Sequence, residues 1–346
     1  MKYNYEKQYD FIAFDITSNC NLRCPFCLND FSEIQGNINV STETYKKVIS
    51  LIPLLKDGGS FFFSCLFEPT LHPDFVQLLY EIPEEQRRKV FFTSNLAKPI
   101  SDNDIKKLAL SGIDHINISV DTLDPELMAN IRKGIKYSVF HDNLMRIVDI
   151  FKKEPSAPKL NYITILLKDN LNECLSILKK CSVDYHANSH EFRCFWFHDY
   201  HDNEWISEHS INKNDWLELE DKLKNRNYKF TLGEHIDPPD RTIEVNETEP
   251  DLCVNPPFSA LRISSSGMIE ILRMPCDHLL DINYMTRPYE TMKSFAEIHS
   301  LALVRGNSIA ELNESERVLA QRTHALESIL NTGCHRIADK ILKLIH

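Results

Sequence analysis

Apolar and polar positions switch between two periods along the first two-thirds of the chain, and that switching predicts the architecture. Residues 11–16 form a short β-rich run, whereas residues 42–55 place Tyr45, Val48, Ile49, Ile52 and Leu55 on one helical face, with Asp57-Gly58-Gly59 as its stop. The exchange then recurs. Strands are predicted at 61–65, 89–94, 115–120, 162–167 and 191–197, and helices at 73–81, 102–110, from Pro125, 141–152, 171–180 and 214–225. Strands separated by helices pair in parallel, and parallel sheets bind ligands at the carboxyl ends of their strands. An open or partial barrel suits this rhythm better than a two-faced sheet. The rhythm breaks near Gly233. Residues 237–257 are rich in Pro, Asp and Glu, residues 261–272 alternate around Ser265-Ser266-Gly267 like a hairpin, and helical stretches follow at 292–304 and 307–330. The expected division is therefore 1–235 and 236–346.

Composition narrows the class. A chain of 346 residues, 42% hydrophobic and 26% charged, buries a sizeable core and is neither disordered nor collagen-like. No apolar run approaches the roughly 18 residues of a spanning helix. Residues 1–7 do not lead into a signal-peptide core, so the expected compartment is the cytoplasm. With 39 basic against 50 acidic residues the net charge is -11, which argues against a broad phosphate-binding face and against nucleic acid as a partner. Arg87-Arg88-Lys89 and Lys179-Lys180 read as solvated helix ends or loop tips.

In a reducing compartment the ten cysteines are not a disulfide framework. Cys20, Cys24 and Cys27 stand as CxxxCxxC directly after the first strand. At this Cys frequency a given Cys is followed by others at both positions with a chance of about 0.001. Three thiolates on one loop suit three irons of a [4Fe-4S] cluster, leaving the fourth open, while structural zinc normally completes a set of four. The bland alternatives are three coincident buried thiols or a zinc loop completed from afar.

The triplet, with the motifs that follow it, resembles the radical S-adenosylmethionine (SAM) enzymes over roughly residues 10–230. The resemblance implies an α/β fold, a partial (β/α)6 TIM-like barrel. It also implies a cluster on Cys20, Cys24 and Cys27 whose open iron chelates SAM and splits it to a 5'-deoxyadenosyl radical. Phe26 matches the aromatic residue near the adenine. In Leu66-Phe67-Glu68-Pro69, similar to the family's Gly-Gly-Glu-Pro, Glu68 takes the place of the carboxylate that receives the SAM ammonium. Bulky Leu66 and Phe67 replace the glycines. Thr93-Ser94-Asn95 and Ser119-Val120-Asp121 end the next two strands as the family's motifs do, which makes Asn95 and Ser119 SAM contacts. Asp121 reads instead as the cap of the helix opened by Pro125. Arg132 matches the guanidinium that pairs with the SAM carboxylate, the alternative being a solvated helix-end cation. Asn161 and Asn170 flank the fifth strand, where the family contacts adenine.

Cys65 is either a buried packing thiol or a donor that returns a hydrogen atom to a substrate radical. Cys174, Cys181 and Cys194 fall on helix and strand positions where buried Cys is the default. Trp196, His198, Tyr200 and His201 follow the sixth strand and face the cavity mouth, as substrate contacts or as a surface cluster. The hairpin flanked by Cys253 and Cys276 resembles the start of a SPASM or Twitch extension. With Cys334, these cysteines either hold an auxiliary [4Fe-4S] cluster or are ordinary small hydrophobes of a cluster-free cap.

The expected protein is a radical SAM enzyme that abstracts a hydrogen atom from its substrate for epimerisation, dehydrogenation, decarboxylation or crosslinking. Its electron comes from a reductant such as flavodoxin or ferredoxin. The first strand starts by about residue 11, which tilts the expectation towards a small metabolite such as a sugar derivative over a ribosomal peptide. A non-catalytic Fe-S or zinc protein is the rival of a different class.

Overall fold

The computed structural model describes residues 9–32, 37–64, 66–197, 200–224, 226–236, 258–265 and 269–274. Its strands are β1 (Tyr9–Phe14), β2 (Leu55–Phe63), β3 (Val90–Ser94), β4 (His115–Ser119), β5 (Lys159–Leu166), β6 (Ala187–Cys194), β7 (Phe230–Leu232), β8 (Phe258–Ile263) and β9 (Ile269–Met274). Among them run the helices α1 (Thr42–Ile49), α2 (Phe75–Glu81), α3 (Glu84–Arg87), α4 (Asp102–Ala109), α5 (Pro125–Ile131), α6 (Tyr137–Phe151), α7 (Cys174–Val183), α8 (Asn203–His209) and α9 (Lys213–Lys224). The strands form one sheet in the order β7-β6-β5-β4-β3-β2-β1-β8-β9. From β7 to β8 all neighbours are parallel, and only β9 runs antiparallel. The sheet does not close, so the architecture is the partial barrel expected.

The period of two decides which residues face the helices. Ile12, Phe14, Phe61, Phe63, Phe92, Ile116, Ile118 and Tyr162 are buried against helical residues such as Tyr45, Val48, Leu79, Ile105 and Ile147. The inner face is different in kind. Towards the amino ends Phe62 stacks on Phe91 at 4.6 Å, and Phe91 on His115 at 4.5 Å, an aromatic floor. Higher up, β4 to β6 present Asn117, Ser119, Asn161, Ser189, Glu191 and Arg193 on that face.

Several elements depart from the periodicity. α1 stops at Ile49 because Pro53 enters a 3-10 turn, Ile52–Leu54, and cannot donate an α-helical hydrogen bond. Leu55 therefore opens β2, and Asp57-Gly58-Gly59 lies inside that strand instead of ending a helix. The pairing jumps there from Tyr9↔Leu55 to Phe11↔Ser60, and Gly58 supplies a φ of +81° that a side-chain-bearing residue rarely adopts. β6 starts and ends earlier than the predicted 191–197. α3, α8 and β7 were not foreseen; α8 is nucleated by Asp202, whose carboxylate accepts the Trp205 amide at 2.9 Å. The expected hairpin exists as β8 and β9, and β8 hydrogen-bonds along β1. Positions 292–304 and 307–330 lie outside the described residues. Among those described, no helix is long and apolar enough to cross a membrane.

Phe92 is 1% exposed and meets Phe75 edge to face at 5.0 Å. Phe92→Ala is expected to lower unfolding free energy by about 3–5 kcal/mol, read as an earlier denaturant midpoint.

Candidate cofactor site at the strand ends

The loop leaving β1 is held by its backbone atoms from every side. Its start is fixed by Asp15, wholly buried, whose carboxylate accepts the Leu66 amide at 2.9 Å while its own N–H donates to Ile263. The Glu68 amide donates to the Asn19 carbonyl at 3.0 Å. Arg23 Nη1 donates to the carbonyls of Cys20 and Leu22, both at 2.7 Å, and its guanidinium lies 4.1 Å from the Phe31 ring centre. The Cys27 amide closes a turn onto the Cys24 carbonyl at 3.0 Å. The Cys27 carbonyl in turn accepts from Tyr200 Oη at 3.1 Å and from His201 Nε2 at 2.8 Å. Tyr200 and His201 therefore clamp the loop. His198 lies outside the described residues, and Trp196 packs against an apolar cluster that includes Phe26, Phe192 and Ile206.

Because the backbone carries much of the anchoring, the side-chain sulfurs are not spent on holding the loop. The Asn29 amide approaches Cys27 Sγ at 3.5 Å, and Asn95 Nδ2 approaches Cys20 Sγ at 3.9 Å. Burial pushes the Cys20 and Cys24 thiols up to about 11 and raises Cys27 as well, and each of the three feels the charge of another. Arg132 opposes that rise at all three. Among the described residues no three His, Cys, Asp or Glu side chains converge on a single ion.

Arg132 follows α5 and is 8% exposed. Burial works against its charge, but Asp121 and the Cys24 and Cys20 sulfurs more than offset this and hold the guanidinium cationic. Nε donates to Asp121 Oδ2 in a short contact, and the guanidinium lies 5.6 Å from the Phe26 ring centre. The solvated helix-end alternative is thereby excluded. The structure also corrects the role of Asp121. Asp124 caps α5, accepting from the amides of Glu126 and Leu127, whereas Asp121 is wholly buried as the partner of Arg132 and accepts the Ile165 amide at 2.8 Å. Glu173 locks the intervening turn through Thr122 Oγ1 and the Leu123 amide.

The other strand ends bring the expected residues together. Glu68 is buried; Oε1 accepts from Thr70 Oγ1 at 2.7 Å and Ser94 Oγ at 2.8 Å, and Oε2 accepts the Asn95 amide at 2.7 Å. Burial raises its pKa against the lowering effect of those donors, and its charge reaches Cys20. The left-handed backbone that the family's glycines would allow falls at Ser64, with φ 81°, and the Leu66 carbonyl is tied to Asn29 Nδ2 at 2.6 Å. Ser119 ends β4 and Phe26 is buried beside Trp205, ring centres 6.3 Å apart. Asn161 and Asn170 do not fit the adenine role. Asn161 sits in the amino-terminal half of β5, accepting from Asn188 and Ser189, and Asn170 is spent on the backbone of Asp121, Ile165 and Leu167. Cys174, Cys181 and Cys194 are buried packing residues. Cys65, Cys253, Cys276 and Cys334 lie outside the described residues. A cavity of about 490 Å³ opens beside the loop, lined by Cys24, Cys27, Lys133, Tyr200 and Trp205 among others.

The family model for the radical SAM superfamily matches residues 14–181. Residues 14–181 form a radical SAM domain. GTP 3',8-cyclase of Haemophilus influenzae (strain PittEE) is 33% identical over 175 residues, covering 49% of this chain and 48% of that protein. The chain thus spans about half the length of the curated relatives it matches. Streptococcus suis SuiB superposes with a TM-score of 0.53 at 17% identity, covering 80% of this chain and 62% of that one. The structure of anSMEcpe with bound AdoMet gives 0.52 at 16%, covering 82% of each. Both show the likeness of fold. Members of the superfamily use a [4Fe-4S] cluster and SAM, and the chemistry of the loop fits that pair: three thiols that sense one another's charge are of the ligand type such a cluster takes, with N–H groups directed at two sulfurs and a buried cation beside them.

Asp15, Asn29 and the clamp by Tyr200 and His201 were missed by sequence reasoning. A carboxylate between Phe14 and Ile16, at the end of an apolar strand, was the available signal for Asp15.

Two variants test how the domain holds its loop. Arg132→Gln leaves Asp121 buried without a counter-charge and is expected to cost about 3–5 kcal/mol in urea unfolding, with much of it recovered in the Arg132→Gln/Asp121→Asn double variant. Gly134 has a φ of +99°, and a Cβ there would lie 3.0 Å from the Asn21 carbonyl oxygen. Gly134→Val is therefore expected to push the loop aside and lower iron per chain after anaerobic reconstitution.

Proposed function

We propose that the protein is an enzyme that cleaves SAM reductively and uses the resulting 5'-deoxyadenosyl radical to abstract a hydrogen atom from a small metabolite. The observation that carries this reading is the convergence, at successive strand ends, of the thiols after β1, Glu68 after β2, Asn95 after β3 and Ser119 on β4. When bound on Cys20, Cys24 and Cys27, the cluster supplies the electron that splits SAM, drawn from a reductant such as flavodoxin or ferredoxin.

The chain's own groups then have distinct tasks. Arg132 balances thiolate charge from a fixed position, its geometry set by Asp121. Asn95 and Asn29 direct N–H groups at the sulfurs, which favours their anionic form. Glu68 is pinned in one orientation by Thr70, Ser94 and Asn95, and so offers a preorganised carboxylate for the SAM ammonium. Ser119 offers its hydroxyl at the next strand end, and Phe26 an apolar wall. A small metabolite is favoured as substrate because the relatives matched at 33% identity are described as GTP 3',8-cyclases, whereas SuiB, whose precursor peptide is SuiA, is alike in fold alone.

Anaerobic reconstitution followed by dithionite and SAM tests the reading. The wild-type chain is expected to bind about four irons per cluster and to release 5'-deoxyadenosine, with Cys24→Ala falling to background. Equal 5'-deoxyadenosine from wild type and Cys24→Ala would leave a non-catalytic metal protein as the better description.

A further inference from the structure

The inner face of β6 carries a charge pair to which nothing above gives a task. Arg193 grips Glu191 with both prongs, Nε to Oε1 and Nη2 to Oε2, each at 2.6 Å. The side chains are 42% and 33% exposed. Strand alternation fixes their direction: His190, Phe192 and Cys194 are buried in the helix-side layer, where His190 stacks on Tyr162 and Phe192, so Glu191 and Arg193 face inward. The level along the strand is fixed too. Arg193 is in register with Ile165, whose amide is held by Asp121, so it stands one strand, about 4.8 Å, from the anchor of Arg132. Glu191 is in register with Ile163 and, through it, with Ser119.

We propose that Arg193, preset by Glu191, binds the anionic group, phosphate or carboxylate, of a hydroxyl-rich small substrate whose remainder lies along the inner face of β4 to β6. This rests on the radical SAM reading of the same strand ends. Glu191 occupies Nε and one N–H of Nη2; Nη1 and the other Nη2 hydrogen have no partner among the described residues. A guanidinium gripped on one edge keeps its other edge aimed, so little rotamer freedom is lost when an anion arrives there. The backbone under it is equally constrained: a Cβ at Gly233 would lie 3.3 Å from the Phe192 carbonyl oxygen, and the Gly233 carbonyl accepts from Trp216 Nε1 at 2.9 Å. Below the pair, Ser189 Oγ and Asn188 Nδ2 both donate to Asn161 Oδ1, which leaves the Asn161 amide hydrogens without a partner among the described residues. From Arg193 down to Ser189 is about 13 Å of strand, the span of a sugar phosphate or nucleotide. Aromatic side chains close the floor beneath, so the polar wall selects hydroxyls and the guanidinium selects the charge.

Glucose 6-phosphate, glucuronate and glucose are the probes, titrated calorimetrically into the reconstituted full chain. One anionic sugar is expected to bind at least tenfold tighter than glucose, which of the two does so identifying the group, and Arg193→Gln is expected to abolish that preference. A second readout needs no variant: the preferred anionic sugar, and not glucose, is expected to protect Arg193 of the wild-type chain from phenylglyoxal, followed by peptide mass spectrometry. Equal binding of all three probes, or unprotected Arg193 at saturating anionic sugar, overturns the proposal. The two readings fail separately. An anionic sugar held by Arg193 in a chain that forms no 5'-deoxyadenosine refutes the radical reading and supports this site, while 5'-deoxyadenosine formation without anion preference refutes this site alone.

Discussion

The structure turns on one cation placed almost wholly out of water. A guanidinium removed from solvent loses several kcal/mol of hydration, which Arg132 can sustain only because Asp121 lies against it and the cysteine sulfurs lie close by. Two unit charges about 4 Å apart attract by about 4 kcal/mol at an effective dielectric of about 20, which is comparable with that loss. The pair is therefore not a large source of stability. What it provides is position. Asp121 is bound to β5 through the Ile165 amide, Arg132 leads into Lys133, whose carbonyl takes the Arg23 amide at 2.9 Å, and Arg23 in turn holds the Cys20 carbonyl. A chain of contacts thus runs from the sheet through a buried charge to the loop that carries the thiols.

That chain explains a division of labour within the loop. Carbonyls of Asn19, Cys20, Leu22 and Cys27 are all taken by named donors, while the Cys20 and Cys27 sulfurs meet long N–H contacts from Asn95 and Asn29. A loop held through its side chains would lose its ligands to the holding. Held through its backbone, it keeps the thiols available, and burial keeps them protonated until a metal displaces the protons.

Much of this was legible because it is written in short-range pattern. The alternation of periods locates most of β1 to β6 and most of the helices between them, and the spacing of Cys20, Cys24 and Cys27 marks the loop without reference to any contact. What was not legible depends on partners distant in sequence. Asp121 reads as the cap of the helix opened by Pro125; only Arg132, folded back from the far end of α5, shows its role and leaves the cap to Asp124. Asn170 reads as a ligand of adenine, yet its amide is consumed by the backbone of Asp121 and Ile165. Asp57-Gly58-Gly59 reads as a helix stop because glycine weakens helices, but the same freedom serves a bulge in β2, and Pro53 had already ended the helix.

The inner face of the sheet follows from the same asymmetry. β1 to β3 turn Phe11, Phe62 and Phe91 inward, side chains that need no partners and exclude water from the floor. Polar residues on β4 to β6 would be costly in such a floor, and the structure puts them higher, where they remain partly open. Glu68, Asn95 and the thiols, clustered over β1 to β3, are engaged with one another, Glu68 accepting the Asn95 amide and Asn95 Nδ2 approaching Cys20 Sγ. Arg193 and Asn161 are the inward polar groups on β5 and β6 that keep donors unspent among the described residues. An arginine already neutralised by Glu191 gains little from a distant charge, so its open edge discriminates through geometry at contact range. Recognition on that side of the barrel is thereby separated from the charge balance that Arg132 and Asp121 maintain at the cysteine loop.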